Sequence, residues 1–300
     1  MTIAFLFPGQ GTDIAEAVEA WRRQAPHVEH LLEIAADEVG LAPSQLTQPV
    51  ALARTAVLQP VLTALTLGIH HTLRDQGLRP DVVAGHSVGE LAACAAAGAI
   101  GAEDVVALAS TRGTLMAREA SLHGGRMIAV RGLAAEVTAT VARAAKHGRL
   151  TIAAHNSAED WVLSGELAAL RAVATTLPTT PIDTEGAWHS TAMAGAGIEY
   201  RESLSAVVTG PLSVPFICNR TGAAARDAAD IPELLAAQLT QPVEWARTME
   251  TLRTIGVTRL VVCGPGRSLR RFARAGIPQA EVTVLAHPDT LLRDWAATTR

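Results

Sequence analysis

Three observations predict an α/β fold in two parts. First, short apolar runs at residues 3–7, 82–84 and 260–263 each end in a glycine-bearing loop, which suits a parallel sheet buried under helices. Second, residues 123–188 follow a separate rhythm of strand, helix, strand, strand, helix, strand, the β-α-β-β-α-β order of a ferredoxin-like unit. Third, the 300 residues are 49% hydrophobic and 18% charged, which supplies apolar surface for a large core. The expected division is a large α/β catalytic subdomain, residues 1–122 and 189–300, with residues 123–188 inserted as the small subdomain.

In order, residues 3–7 read as a buried strand broken by Pro8-Gly9-Gln10-Gly11, a loop whose glycines would let backbone approach a ligand. Residues 14–40 and 52–77 carry helical periodicity, interrupted at Pro26 and Pro43. Residues 82–84 form a strand, and a helix opens at Val88 and stops at Gly98. Residues 103–120 form a helix with Arg112-Gly113 in its middle, where a glycine costs about 1 kcal/mol. The small subdomain places strands at 127–130, 150–154, 161–164 and 181–184 and helices at 134–147 and 166–177. Beyond it come a helix at 191–208, a strand at 214–218, helices at 233–239 and 243–255, a strand at 260–263, a helix at 267–275, a strand at 282–286 and a helical end.

A net charge of −4 gives no electrostatic basis for nucleic-acid binding. Cys94, Cys218 and Cys263 sit far apart in apolar runs, without metal spacing or a disulfide framework. The opening run is too short for a signal sequence, and no run is long enough to span a membrane. These features predict a cytoplasmic protein without a metal site.

The chemistry centres on Gly85-His86-Ser87-Val88-Gly89. This G-x-S-x-G pattern, between an apolar strand and a strong helix former, reads as a nucleophile elbow on an α/β-hydrolase-like body. The helix after it would aim free N–H groups and its positive dipole end at the serine. A serine hydroxyl needs a base. Of ten histidines, His189 lies where the chain re-enters the large body, in a loop able to reach the elbow. The third partner is either an acid, Asp160 or Asp183, or a backbone carbonyl holding the imidazole tautomer.

Phe7-Pro-Gly-Gln-Gly11, Gly85-His-Ser-Val-Gly-Glu90, Arg112-Gly-Thr-Leu-Met116, Asn156-Ser157 with Ser164-Gly165, His189-Ser190, Gln238-Leu239 with Pro242-Val243, and Gly264-Pro-Gly266 occur in this order. Together they resemble the malonyl-CoA:acyl carrier protein transacylase family, over residues 3–275. That family includes the fatty-acid enzyme, polyketide synthase acyltransferases and the acyltransferase subunit of malonate decarboxylase. The resemblance implies Ser87 as nucleophile, His189 as base and then acid, and the Gln238 carbonyl as the group orienting His189. It further implies an oxyanion hole from the N–H groups of Gln10 and Val88, and Arg112 as partner of the acyl carboxylate. Trp188 and His86 are expected at the acyl pocket. A CoA thioester is the implied donor, with no bound cofactor, and an acyl carrier protein the implied acceptor.

Arginine binds a carboxylate bidentately, so a dicarboxylic acyl group is expected, malonyl or a substituted malonyl. The chain departs from the family at Thr12-Asp13. It departs again at Gly186-Ala187-Trp188, which matches neither the His-Ala-Phe of malonyl-selective polyketide acyltransferases nor the Tyr-Ala-Ser of methylmalonyl-selective ones. Bulky Trp188 and Val88 favour malonyl. The expected enzyme acts in trans, in fatty-acid or polyketide synthesis. The alternatives are malonyl transfer within a malonate decarboxylase complex and a serine hydrolase or thioesterase. Arg267, Arg270, Arg271 and Arg274 form either a carrier-docking face or a solvated one.

Overall fold

The structure is a computed structural model that describes residues 1–11, 13–207 and 209–291. The chain opens with β1 (Ile3–Phe7), α1 (Ala15–Arg22), α2 (Pro26–Val39), α3 (Pro49–Leu52), α4 (Thr55–Asp75), β2 (Val82–Gly85), α5 (Gly89–Ala96) and α6 (Ala102–His123). It continues with β3 (Arg126–Arg131), α7 (Ala134–Ala144), β4 (Leu150–His155), β5 (Asp160–Gly165), α8 (Leu167–Ala174) and β6 (Thr179–Ile182). It returns through α9 (Ala194–Ser205), β7 (Phe216–Ile217), α10 (Ile231–Gln238), α11 (Trp245–Thr254), β8 (Arg259–Val262), α12 (Arg267–Gly276) and β9 (Glu281–Val284).

The first sheet is parallel, in the order β7-β2-β1-β8-β9. Its central strand is apolar throughout because both faces are covered. Phe5 and Phe7 pack into the helical layer of α2, α4, α5 and α6, whereas Ala4 and Leu6 face the side of α11 and α12. The β1–β2 register sets Phe7 beside Gly85. The loop after β1 and the turn after β2 therefore emerge side by side at the carboxyl ends of the strands, where open α/β sheets hold ligands.

The second sheet is antiparallel, in the order β4-β5-β3-β6, with α7 and α8 packed on it around Val137, Leu163 and Val173. This is the ferredoxin-like arrangement the strand order predicted. Val243, in the loop between α10 and α11, pairs with β4: its N–H donates to the Ala153 carbonyl and its carbonyl accepts from the His155 N–H, both at 2.9 Å. The segment just after α10 is thus tied to the edge of the small sheet.

The fold class matches the sequence reading, and the differences are local. The expected strand at 181–184 lies at Thr179–Ile182. Pro181 is tolerated there because β6 is an edge strand. The strand expected at 214–218 is only Phe216–Ile217, since Pro215 has no N–H and contributes only its carbonyl, to Val83. The helix expected across 52–77 breaks at 53–54 and restarts as α4, whose first N–H donates to the Glu185 carboxylate at 2.6 Å. Gly113 is explained by packing: a Cβ there would lie 2.7 Å from the Thr55 carbonyl oxygen, so α4 and α6 could not approach as they do. The helical end beyond residue 291 lies outside the described residues. No helix among the described residues is long and apolar enough to cross a membrane.

His70 and His71 diverge as neighbours on a helix must. His70 is buried edge-on against Phe5 and Phe7, and neither ring nitrogen meets a hydrogen-bond partner among the described residues. His71 turns toward His27. Burial first, then the charges of His71 and Arg74, lower His70 to about 3. The unfolded chain therefore binds this proton below its ordinary pKa of 6.5 while the folded chain resists it, so stability falls as pH drops from 6.5 toward 3. In urea unfolding, His70→Leu should lose about 1–2 kcal/mol less than the parent between pH 7 and pH 5. Equal losses in the two proteins would contradict the assignment.

Candidate active site

The turn after β2 leaves no room for side chains at its glycines. A Cβ on Gly85 would lie 2.0 Å from the Gly89 carbonyl oxygen, and one on Gly89 would lie 2.2 Å from that of Phe7. Between them Ser87 takes φ of 53°, and His189 takes φ of 55°. Among the described residues these are the non-glycine positions with positive φ. Such backbone costs on the order of 1–3 kcal/mol and persists where surrounding structure enforces it. The Ser87 N–H donates to Asn219 Oδ1 at 2.7 Å, and Asn219 Nδ2 donates to the Gly85 carbonyl at 2.5 Å. One side chain at the end of β7 thus clamps both sides of the turn.

The two strained residues meet. Ser87 Oγ lies 2.7 Å from His189 Nε2, and His189 Nδ1 lies 2.8 Å from the Gln238 carbonyl oxygen. A carbonyl only accepts, so Nδ1 carries the proton and Nε2 presents its lone pair to the serine hydroxyl. Burial, followed by the nearby Arg112 charge, lowers His189 to about 3, against the pull of the Gln238 carbonyl. The imidazole is neutral at physiological pH and ready to accept a proton.

Arg112 projects from α6 into the same space and is 1% exposed. Its guanidinium donates to Gln59 Oε1 and Gln238 Oε1, each at 2.7 Å, and reaches Ser87 Oγ at 3.5 Å. Burial lowers its pKa to about 10, so it stays charged at neutral pH. Its direct acceptors are neutral. A carboxylate that acts on it electrostatically is Glu90 in the first turn of α5, where one oxygen accepts from the Asn219 N–H at 2.6 Å and the other from Gln238 Nε2. Burial pushes Glu90 up to about 7, opposed by those two N–H donors and by Arg112. With both oxygens facing donors, the geometry suits the carboxylate.

Of the two proposed oxyanion donors, Val88 precedes α5 and its N–H makes no hydrogen bond among the described residues. The same holds for the N–H of Gln10. The Gln10 loop packs on the elbow: a Cβ on Gly9 would lie 2.6 Å from the His86 carbonyl oxygen. The Gln10 side chain joins the network, accepting from Gln59 Nε2 at 3.3 Å. His86 points elsewhere, to Asn156 Oδ1 at 2.8 Å, with Trp245 and Phe272 against its ring. With Gln10, Asn156, Arg271 and Phe272 it lines a cavity of about 260 Å³ between the elbow and the small sheet. Trp188 is buried against Gly186, with no partner for its indole N–H among the described residues.

Ser87, His189, Arg112 and Gln238 are therefore brought together, whereas His86 and Trp188 lie outside their hydrogen-bonded cluster. Glu90, Gln59 and Asn219 were not read from the sequence as site residues. The available signal was a polar residue inside an apolar stretch, as Gln59 is within the first turns of α4. Asp160 is held by Ser157 and Arg271, both at 2.7 Å, and Asp183 is exposed, so neither serves His189. Arg271, tied to Asp160, is not a free docking charge; Arg267, Arg270 and Arg274 are exposed. Among the described residues no cluster of three or more His, Cys, Asp or Glu side chains is placed to hold a metal. Sulfonylation of Ser87 by phenylmethylsulfonyl fluoride reads the dyad without any acyl donor. Asp160→Asn and Asp183→Asn should each leave that rate within about twofold, and His189→Ala should lower it by about 10³-fold. A large loss with either aspartate change would restore an acidic third partner.

Comparison with known proteins extends this geometry. The acyl transferase domain family matches residues 4–288. The malonyl CoA-acyl carrier protein transacylase of Mycobacterium bovis is 33% identical, over 96% of this chain and 99% of its own. The spectinabilin polyketide synthase system protein NorB of Streptomyces orinoci is 31% identical over 91% of this chain, which covers 13% of that much longer protein. The crystal structure of MCAT from Mycobacterium tuberculosis superposes with a TM-score of 0.90 at 31% identity, covering 97% of this chain and 98% of that one. The structure of the malonyl CoA-acyl carrier protein transacylase from Coxiella burnetii gives 0.92 at 26% identity, covering 100% of this chain and 98% of that one. Fold, sequence and family match thus agree over almost the whole length, and the chain belongs to the acyl transferase domain family of acyltransferases.

Proposed function

We propose that this chain moves a malonyl group from malonyl-CoA to the phosphopantetheine thiol of an acyl carrier protein through an acyl-Ser87 intermediate, in fatty-acid or polyketide synthesis. The observation that carries this reading is the buried, charged Arg112, 3.5 Å from Ser87 Oγ. A carboxylate so close to an acylated serine is separated from the ester carbonyl by very few carbons, which describes malonyl. A neutral acyl group would offer the guanidinium no charge. The names of the relatives, malonyl CoA-acyl carrier protein transacylases and polyketide synthase proteins, point the same way. The reading treats residues 123–188 as the inserted subdomain that closes over the elbow. Its setting is the cytoplasm, consistent with three free thiols.

The chemistry follows from the dyad. His189 Nε2 takes the Ser87 hydroxyl proton as Oγ attacks the thioester carbonyl carbon. The N–H groups of Gln10 and Val88 stabilise the oxyanion that forms. The carbon–sulfur bond breaks, and the His189 proton goes to the CoA sulfur. The carrier thiol then gives His189 its proton, its sulfur attacks the ester, and Ser87 Oγ leaves with that proton. The Gln238 carbonyl stabilises the imidazolium between these transfers. Arg112 holds the acyl carboxylate throughout. The CoA thioester and the carrier thiol are the reactants, and the scheme uses no further group.

Intact-protein mass measurement with malonyl-CoA, methylmalonyl-CoA and acetyl-CoA tests the reading. A malonyl adduct should form, vanish in Ser87→Ala, and form about 10–150-fold more slowly in Arg112→Ala, the range for one charge-assisted hydrogen-bonded contact. Acetyl-CoA acylating as fast as malonyl-CoA would overturn the carboxylate clamp. CoA release without an adduct in the parent protein would indicate hydrolysis.

A further inference from the structure

Gln238 stands where the interactions of the site cross. Its backbone carbonyl orients His189, its Oε1 accepts from Arg112, and its Nε2 donates to the Ser87 carbonyl at 2.9 Å and to Glu90. A carboxamide turned over by half a turn keeps its shape but exchanges acceptor and donors. In this site the turned form would set Oε1 against the Glu90 carboxylate and the Ser87 carbonyl, and the amide protons against the Arg112 guanidinium. Every one of those contacts is repulsive. Glu90 reaches the opposite side as well, through the Asn219 N–H, and Asn219 in turn clamps the elbow. The other ionisable groups in electrostatic reach of Glu90, Cys94, Cys218 and Tyr200, are pushed up by burial and stay neutral.

We infer that Glu90 is a positioning residue: its carboxylate locks the Gln238 carboxamide, and through it sets Arg112 and His189 relative to Ser87. The effect on acyl selection rests on the malonyl-transfer reading; the effect on the dyad does not. A carboxylate is needed because two donors converge on it from different elements. A carboxamide in its place would turn an N–H toward one of them, so Glu90→Gln would release either Asn219 or Gln238.

The test is a double-mutant cycle. Gln238→Ala removes the carboxamide and keeps the backbone carbonyl that meets His189. Glu90→Gln and Glu90→Asp are made alone and in the Gln238→Ala background. Two rates are read on each: acylation of Ser87 by malonyl-CoA, and its sulfonylation by phenylmethylsulfonyl fluoride. In the parent background Glu90→Gln should lower acylation by about 100-fold and sulfonylation by about tenfold, while Glu90→Asp, which keeps two acceptor oxygens, loses far less. In the Gln238→Ala background the same changes should lower either rate by less than about threefold. Equal losses in both backgrounds would overturn the inference, because Glu90 would then act by a route other than Gln238. Rates within about twofold of the parent for Glu90→Gln alone would also overturn it. If Glu90→Gln does not fold, Glu90→Asp completes the same cycle. If the parent is sulfonylated but not acylated by malonyl-CoA, the donor reading fails, and the cycle on sulfonylation still decides the role of Glu90.

Discussion

A buried guanidinium sets the terms for this site. Arg112 is charged, almost inaccessible, and among the described residues hydrogen-bonded directly only to neutral oxygens. Burying a charge is costly unless its donors are satisfied, and removing a partner costs more than the pair contributes. The surrounding sequence meets that constraint with polar side chains placed where an ordinary core would be apolar. Gln59 comes from α4, Gln238 from α10 and Glu90 from α5, and each is 2% exposed or less. The close approach of α4 and α6 at Gly113 brings the Gln59 and Arg112 helices together. The acid lies one residue removed from the guanidinium, across the Gln238 carboxamide. Local charge is thereby balanced while two faces of Arg112 remain on acceptors that a ligand carboxylate could replace.

The proposed nucleophile, Ser87, depends on the same framework. Positive φ at both Ser87 and His189 is a cost that only packed surroundings sustain. At Ser87 the surroundings are the Gly85 and Gly89 contacts and the Asn219 clamp. At His189 they are the Gln238 carbonyl and a buried loop. Because Gln238 meets His189 with its backbone carbonyl and Arg112 with its side chain, the two side chains are coupled through one residue. The small sheet is held to this region through Val243, a few residues after Gln238. In the proposed reaction an acyl group on Ser87 would therefore meet His189, Arg112 and the N–H groups of Gln10 and Val88, unpaired among the described residues, already in place, which is the preorganisation that lowers a barrier.

Much of this was legible in the sequence, for identifiable reasons. Buried parallel strands announce themselves as unbroken apolar runs, and the G-x-S-x-G turn is read from glycines that tolerate no side chain. The ferredoxin-like order of 123–188 followed from alternating short strands and helices. Edge strands were less legible: β6 and β7 are displaced or shortened by prolines whose effect depends on which side of the strand is paired. Roles for the dyad and Arg112 came from local motifs and the family resemblance; Glu90 closed one of those motifs without a role, and Gln59 and Asn219 stood outside them. Their roles arise from contacts across 53 to 148 residues of sequence, as between Gln59 and Arg112 or Glu90 and Gln238. A single sequence marks a position such as Gln59 only as a polar residue in apolar company. His86 and Trp188, expected at the acyl pocket, make no hydrogen bond to that cluster among the described residues, and His86 lines the cavity beside the elbow with Gln10.

The most direct test of the account is a crystal structure of the protein with malonyl esterified to Ser87. The acyl carboxylate should sit bidentate on Arg112, with Gln59 or Gln238 Oε1 displaced from the guanidinium and His189 still held by the Gln238 carbonyl. A carboxylate directed to solvent, with Arg112 unchanged on both glutamines, would contradict it.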